Sequence, residues 1–452
     1  MEGPAAVTQT QQAQAQQAQA RQAAARQAAA EQAAAEQAAA EQAQGEQAQG
    51  EQAQGEQGQG EQPAGPAAAG MPDLLYGETE NELRAAVRDL LADRAGPAAV
   101  LARTETAQTY DTALWHALAA DLGCAGLLIP ESHGGAGATY REAAVVAEEI
   151  GRSVASVPYL GSAVVATAAA VAAGDDELLA GLAAGTTTAA LAMPFPAAPG
   201  AVPAATVRVG ALRDGDPAGT YRLSGTVTGL IDALPADLLL VPADGVPFGL
   251  YAVSAGDEGV TRAPVVSLDM TRQLCDLTLD GAAGRRIAAG QEAERAMAAA
   301  LAAGAAMLAS EQLGLADKCL EMTVAYVKER RQFARPVGSF QALKHRLADL
   351  WVGVTQARAA ARYAAACLAA GDPDTAVAIA LAKAACSDIA VKASQESIQL
   401  HGGIGFTWEH PAHLYLKRAK SGSIGFGTPD RHRASLASLA DLPAPGSRGG
   451  AR

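Results

Sequence analysis

Two short stretches of this chain concentrate residue types that can do chemistry. The first runs from Arg330 to Leu350, RRQFARPVGSFQALKHRLADL, in a chain with only 4% aromatic residues. Arg330, Arg331 and Arg335 stand beside Gln332 and Phe333, where a helical pattern stops at Pro336 and Gly338. A guanidinium pairs bidentately with phosphate, and a phenyl ring stacks on another flat ring. A cation at a helix C-terminus also complements the dipole by ~0.3–1 kcal/mol. That accounts for one arginine better than for three. The second stretch is QLHGGIGFTWEHP, Gln399 to Pro411. Its glycines 402, 403 and 405 let a backbone approach a flat ligand closely, although a turn between helices uses glycine in the same way. Together the stretches suggest a dinucleotide-like ligand. Neither is a Walker loop or a strand-linked GxGxxG, so a Rossmann site is not expected.

Composition excludes other classes. The formal charge of −14 argues against nucleic acid, whose phosphates need a basic face. The five cysteines, Cys124, Cys275, Cys319, Cys367 and Cys386, include no CxxC pair. A disulfide framework or metal site is therefore not expected, and a reducing cytoplasm fits better. The apolar stretch near 161–174 is too short to span a bilayer. No basic segment followed by an apolar core suggests a secretory signal.

The elements that must position these residues follow from pattern. Residues 1–72 form an Ala/Gln/Glu-rich tail with a five-residue period. Five residues advance about 500° on a helix, so successive repeats step ~140° and no apolar stripe forms. We read it as disordered, with Met71 a plausible alternative start. Residues 73–185 read as a helical domain. Leu83, Val87, Leu90 and Leu91 share one face, and Thr139 with Glu142 reads as a capping box. Residues 186–288 carry short strand-like runs, TYRLSGTVTGL, DLLLVPA, FGLYAVS and CDLTLDG, with Gly-containing turns. Residues 289–440 return to helices at about 292–331, 338–370, 374–401 and after Thr428, and 441–452 read as a second tail. The expected fold class is thus α+β: an N-terminal helical domain, a middle antiparallel β domain and a C-terminal four-helix bundle.

Three segments carry a family resemblance: GLLIPESHGGAGATYREAAVVAEEIGR, ERRQFARPVGSFQALKHRLADL and QLHGGIGFTWEHPAHLYLKRAK. Over about residues 75–440 the chain resembles the acyl-CoA dehydrogenase family. The resemblance implies an FAD flavoprotein, a homo- or hetero-oligomer, dimer or tetramer, with the cofactor held across a subunit interface. Carried over by position, Arg330 and Phe333 would meet the FAD of a neighbouring subunit, and Gln399, Gly402 and Gly403 its adenine–pyrophosphate end. Gln341 is a further carry-over, and Thr428, in GFGTPDRH, falls where the family places a threonine on the FAD. The implied partners are an acyl-CoA or acyl-carrier thioester and an electron-transfer flavoprotein or similar acceptor.

The chain departs from the family where the reaction happens. The resemblance implies abstraction of an α-proton by a carboxylate and loss of a β-hydride to the flavin. The usual glutamate position is Phe426, and the alternative position, on the first bundle helix, is Gly304. Neither accepts a proton. Glu311, Asp430 and Glu409 are the remaining candidate bases, although surface or capping roles suit each. The β region also lacks the family's flavin-lining tryptophan. The first expectation is a subunit of a heteromeric enzyme whose partner brings the base. The alternatives are a self-contained flavoenzyme with a relocated base and a non-catalytic scaffold.

Overall fold

The alanine-rich stretch after Gly290 makes one helix of 39 residues, α7 (Gln291–Glu329). Alanine loses no side-chain entropy in a helix, and its small size lets neighbours approach. The computed structural model describes residues 73–442, except 201–204, 212–216 and 218. The expected disorder of residues 1–72, that of the tail 441–452 beyond residue 442, and the start at Met71 lie outside the described residues.

The N-terminal part contains α1 (Glu78–Arg94), α2 (Pro97–Thr104), α3 (Thr112–His116), α4 (Tyr140–Ser153), a π-helical segment Tyr159–Ala166 continued by α5 (Thr167–Ala173), and α6 (Asp176–Ala183). Val87 and Leu91 of α1 are buried, with Leu83 and Leu90 packed half-buried beside them. The Thr139–Glu142 capping box closes: the Thr139 amide donates to Glu142 Oε2 at 2.8 Å, and Arg141 N donates to Thr139 Oγ1 at 3.1 Å.

The middle sheet orders its strands β1 (Ala189–Leu191), β4 (Leu238–Ala243), β5 (Gly249–Ser254), β7 (Leu274–Ala289), β3 (Thr220–Ile231) and β2 (Val207–Gly210), with β6 (Val260–Val265) also on β7. All pairings are antiparallel except β1 with β4. The continuous apolar run in β4 has a physical reason. Leu239 and Val241 face the core inside the sheet, while Leu240 faces the helical core. Successive strand residues point to opposite faces, and here both faces are covered.

The bundle comprises α7, α8 (Gln341–Ala370), α9 (Thr375–His401) and α10 (Ala412–Ile424), with α11 (Pro429–Leu439) packed on α9. A two-residue hairpin, β8 (Arg331–Gln332) and β9 (Arg335–Pro336), separates α7 from α8. One correction concerns apolar runs. By length and composition α7 suffices to cross a membrane, which the sequence reading passed over, but 83% of its apolar window is buried inside the protein.

Candidate functional site

The turn between α10 and α11 carries Gly425, Phe426, Gly427 and Thr428. Phe426 and Gly427 both take positive φ, 49° and 99°. The Phe426 amide donates to Phe195 O at 2.7 Å, and Phe426 O accepts from His432 Nε2 at 2.8 Å. Burial pushes the His432 imidazole down to about 4, so it is neutral near pH 7 and faces that oxygen with its N–H. The Phe426 ring is 4% exposed and meets Phe195 edge-on, centroids 5.6 Å apart. Its tip points at Gly304: a Cβ there would lie 2.6 Å from Phe426 Cζ. The two positions at which the resemblance puts a base therefore face each other, and a ring in a glycine notch fills the space between them. A helical glycine is disfavoured by about 1 kcal/mol relative to alanine; here it makes room for six carbons.

The other candidate carboxylates are placed elsewhere. Glu311 is 4% exposed and lies between two guanidiniums: Arg272 Nη2 reaches both its oxygens at 2.5 Å, and Arg418 Nε reaches Oε1 at 2.7 Å. Although burial opposes it, Arg272 and Arg418 hold this carboxyl down at about 2. So weak an acceptor is a poor proton abstractor. Asp430 is exposed in the first turn of α11 and pairs with Arg433 at 2.9 Å. Glu409 is exposed.

Sequence reasoning missed one carboxylate. Asp269 is 1% exposed, and its Oδ1 accepts from Thr271 N and Oγ1. Its Oδ2 has no hydrogen-bond partner among the described residues. Asp269 lines a cavity of about 370 Å³ together with Phe195, Gly229, Leu268, Lys420 and Ile424. Nothing in its local sequence singles it out.

A second group gathers at one end of the bundle. The Tyr326 ring in the last turn of α7 packs on His401, the last residue of α9, with centroids 4.4 Å apart. Arg330 follows α7, Phe333 sits at the hairpin tip, and Gln341 opens α8. Gln399 lies in the last turn of α9, ahead of Gly402 and Gly403. All six are exposed, Phe333 at 84%. A Cβ on Gly402 or Gly403 would meet nothing within 4 Å. Thr428 is also exposed, but it is not in this group. Its neighbour Gly427 is bonded to Lys383, eighteen residues before His401 on α9. At 1.5 Å per residue that separates the two sets by ~27 Å.

Family models agree along the chain: acyl-CoA dehydrogenase, N-terminal domain, matches residues 77–185, and acyl-CoA dehydrogenase, C-terminal domain, matches 293–439. The acyl-CoA dehydrogenase IpdE2 of Mycobacterium tuberculosis is 37% identical over 344 residues, covering 76% of this chain and 91% of that protein. The structure titled ChsE4–ChsE5 complex, from Mycobacterium tuberculosis, matches with TM-score 0.71 at 27% identity, over 82% of this chain and all of that one. A variant of the Tcur3481–Tcur3483 steroid ACAD matches with TM-score 0.70 at 31% identity, over 80% and 98%. The chain belongs to the acyl-CoA dehydrogenase family. Members are flavoprotein oxidoreductases of lipid metabolism acting on CH–CH bonds.

Proposed function

We propose that this chain is one subunit of a heteromeric, FAD-dependent enzyme that desaturates an acyl thioester, and that a related partner chain brings the proton-abstracting carboxylate. The observation that carries the reading is the Phe426 ring seated in the Gly304 notch. It leaves no carboxylate at either family position and no room there for an acyl α-carbon.

The nucleotide end suits FAD. Among the described residues the side chains of Arg330, Gln341 and Gln399 have no partner, and the Gly402–Gly403 backbone is open. A guanidinium, two carboxamides and free peptide groups match a pyrophosphate and an adenine edge. When bound, FAD accepts the hydride that leaves the β-carbon. In this chain Arg330, Gln341, Gln399 and Gly402–Gly403 would hold the nucleotide part of a neighbouring subunit's FAD, Phe333 would lie against it, and Thr428, ~27 Å away along α9, would offer a hydroxyl to an FAD from this chain's own side. Phe195 and Phe426 exclude substrate and water from this chain's side of the site. Two relatives described as a complex and a paired steroid ACAD support heteromeric assembly and a steroid-derived acyl group. The proposed electron acceptor is an electron-transfer flavoprotein or similar protein in the cytoplasm.

One observation favours a second reading, a self-contained flavoenzyme. Asp269 lines the cavity beside Phe195, and its buried Oδ2 has no hydrogen-bond partner among the described residues, which suits a relocated base. Expression alone and with a family member that carries glutamate at the Phe426 position separates the two. The first reading expects flavin and acyl-CoA oxidation only in the co-expressed complex. A yellow homo-oligomer that oxidises acyl-CoA alone, and loses turnover in Asp269→Asn, establishes the second. Absence of flavin both alone and in the complex discards both.

A further inference from the structure

Lys383 sits near the middle of α9 and is fully buried. Such an ammonium is costly unless it is paired and hydrogen-bonded. Its partners among the described residues are all neutral: Ser387 Oγ at 2.8 Å, Gly422 O at 3.0 Å and Gly427 O at 3.4 Å. Two of these acceptors flank the turn that carries Phe426. Gly422 lies in the last turn of α10, whose terminal carbonyls lack intrahelical donors and carry the negative end of the dipole. Gly427 lies on the far side of Phe426. The network continues inward: Ser387 Oγ donates to Gln312 Oε1 on α7 at 3.0 Å. From the α11 side, His432 holds Phe426 O.

We infer that Lys383 is a positioning residue: its ammonium ties the end of α10 to Gly427, fixes the Gly425–Thr428 turn in its left-handed form, keeps Phe426 in the Gly304 notch and aims Thr428 outward. Helix α9 then governs both sets of proposed cofactor contacts, Gln399 and Gly402 at one end and, through Lys383, Thr428 toward the other. The inference rests on the proposed function only in treating Thr428 as a cofactor contact.

Burial pushes the Lys383 ammonium down to about 7. The charged groups facing it lie outside the neutral window or are paired. Burial sends Cys386 up to about 12 and His432 down to about 4. Arg272 is bound to Glu311, and Asp388 to Arg433. Between pH 6 and 9, Lys383 is therefore the group in this cluster that changes charge. A hydrogen bond from an ammonium is worth more than one from a neutral amine.

The test is amide hydrogen exchange of the 424–430 segment, corrected for intrinsic rates, in the full chain purified in whichever form is soluble, alone or co-expressed. In the native sequence, protection of the Phe426 amide is expected to fall ~5-fold from pH 6 to 9. In Lys383→Met it is expected to be at least ~10-fold lower at pH 6 and flat with pH. Native protection in Lys383→Met, or a flat native profile, overturns the inference. If Lys383→Met does not fold, Ser387→Ala decides. It removes one of the ammonium's three acceptors and is expected to lower protection ~3-fold with the native pH slope; unchanged protection overturns the inference. Flavin takes no part in this readout, so a failure of cofactor binding counts against the proposed function alone.

Discussion

At the scale of residues, the chain replaces reactive groups with fitted ones. Phe426 and Gly304 were legible only as two separate absences, read through a resemblance. That they meet is a tertiary fact, because one lies mid-helix and the other in a turn 122 positions later. Their complementarity makes a double-mutant prediction. Phe426→Ala leaves a cavity and is expected to cost about 3–5 kcal/mol. Gly304→Ala pushes a methyl into the ring and is expected to cost about 1–3 kcal/mol. In the double variant the new methyl partly fills the cavity, so urea unfolding is expected to give a loss below the sum by at least about 0.5 kcal/mol. Simple additivity means the two residues are not packed together. Glu311 yields a second expectation. Its carboxyl is held at about 2 against an ordinary 4.5. The folded-state value is the lower one, so its stabilisation is complete above pH 4.5 and is lost as pH falls toward 2. Glu311→Gln removes the carboxylate hydrogen-bonded to two buried guanidiniums and is expected to lose about 3–5 kcal/mol at pH 7. It also flattens the acid limb of stability between pH 4.5 and 2, read by denaturant midpoints across that range.

At the scale of elements, much of the fold was legible. Period-3.6 faces, the Thr139–Glu142 cap, the break after Ala370 and the strand-like runs each give a local signal, and each element formed. Helix α10 and the π-helical segment Tyr159–Ala166 were not singled out. Their alanines, glycines and serines carry weak periodicity, and neighbouring elements decide their shape. The α4–α7 crossing was also hidden. A Cβ on Gly151 would strike the Glu311 carbonyl, and one on Gly314 would strike the Glu148 carbonyl. In sequence these glycines only lower helix propensity; in the fold they let two helices touch backbone to backbone. Either glycine changed to alanine gains propensity locally, by up to ~1 kcal/mol. It must nevertheless push the helices apart, and overpacking costs ~1–3 kcal/mol, occasionally more. Gly314→Ala is therefore expected to lower the melting temperature measurably despite the better helix former. A rise in melting temperature shows that the crossing relaxes freely.

At the scale of the whole molecule, the helical bundle separates what it offers to a cofactor. Arg330, Phe333, Gln341, Gln399, Gly402 and Gly403 collect at one end, while Thr428 stands ~27 Å away along α9. Sequence order and resemblance named all seven but gave no distances; helix length supplies the spacing. Residues so far apart, with no protein contact in common, act independently, within ~0.3–0.5 kcal/mol. In a flavin-loaded complex, Arg330→Ala removes a charge-assisted hydrogen bond worth about 1.5–3 kcal/mol, a ~10- to 150-fold loss of flavin affinity. Thr428→Val removes a neutral one worth about 0.5–1.5 kcal/mol, a ~2- to 12-fold loss. The double variant is expected to lose the product of the two factors, measured by equilibrium dialysis at the flavin absorbance. Losses well below that product mean the two ends are coupled, and a complex that keeps native flavin affinity without Arg330 removes the exposed hairpin end from the cofactor site.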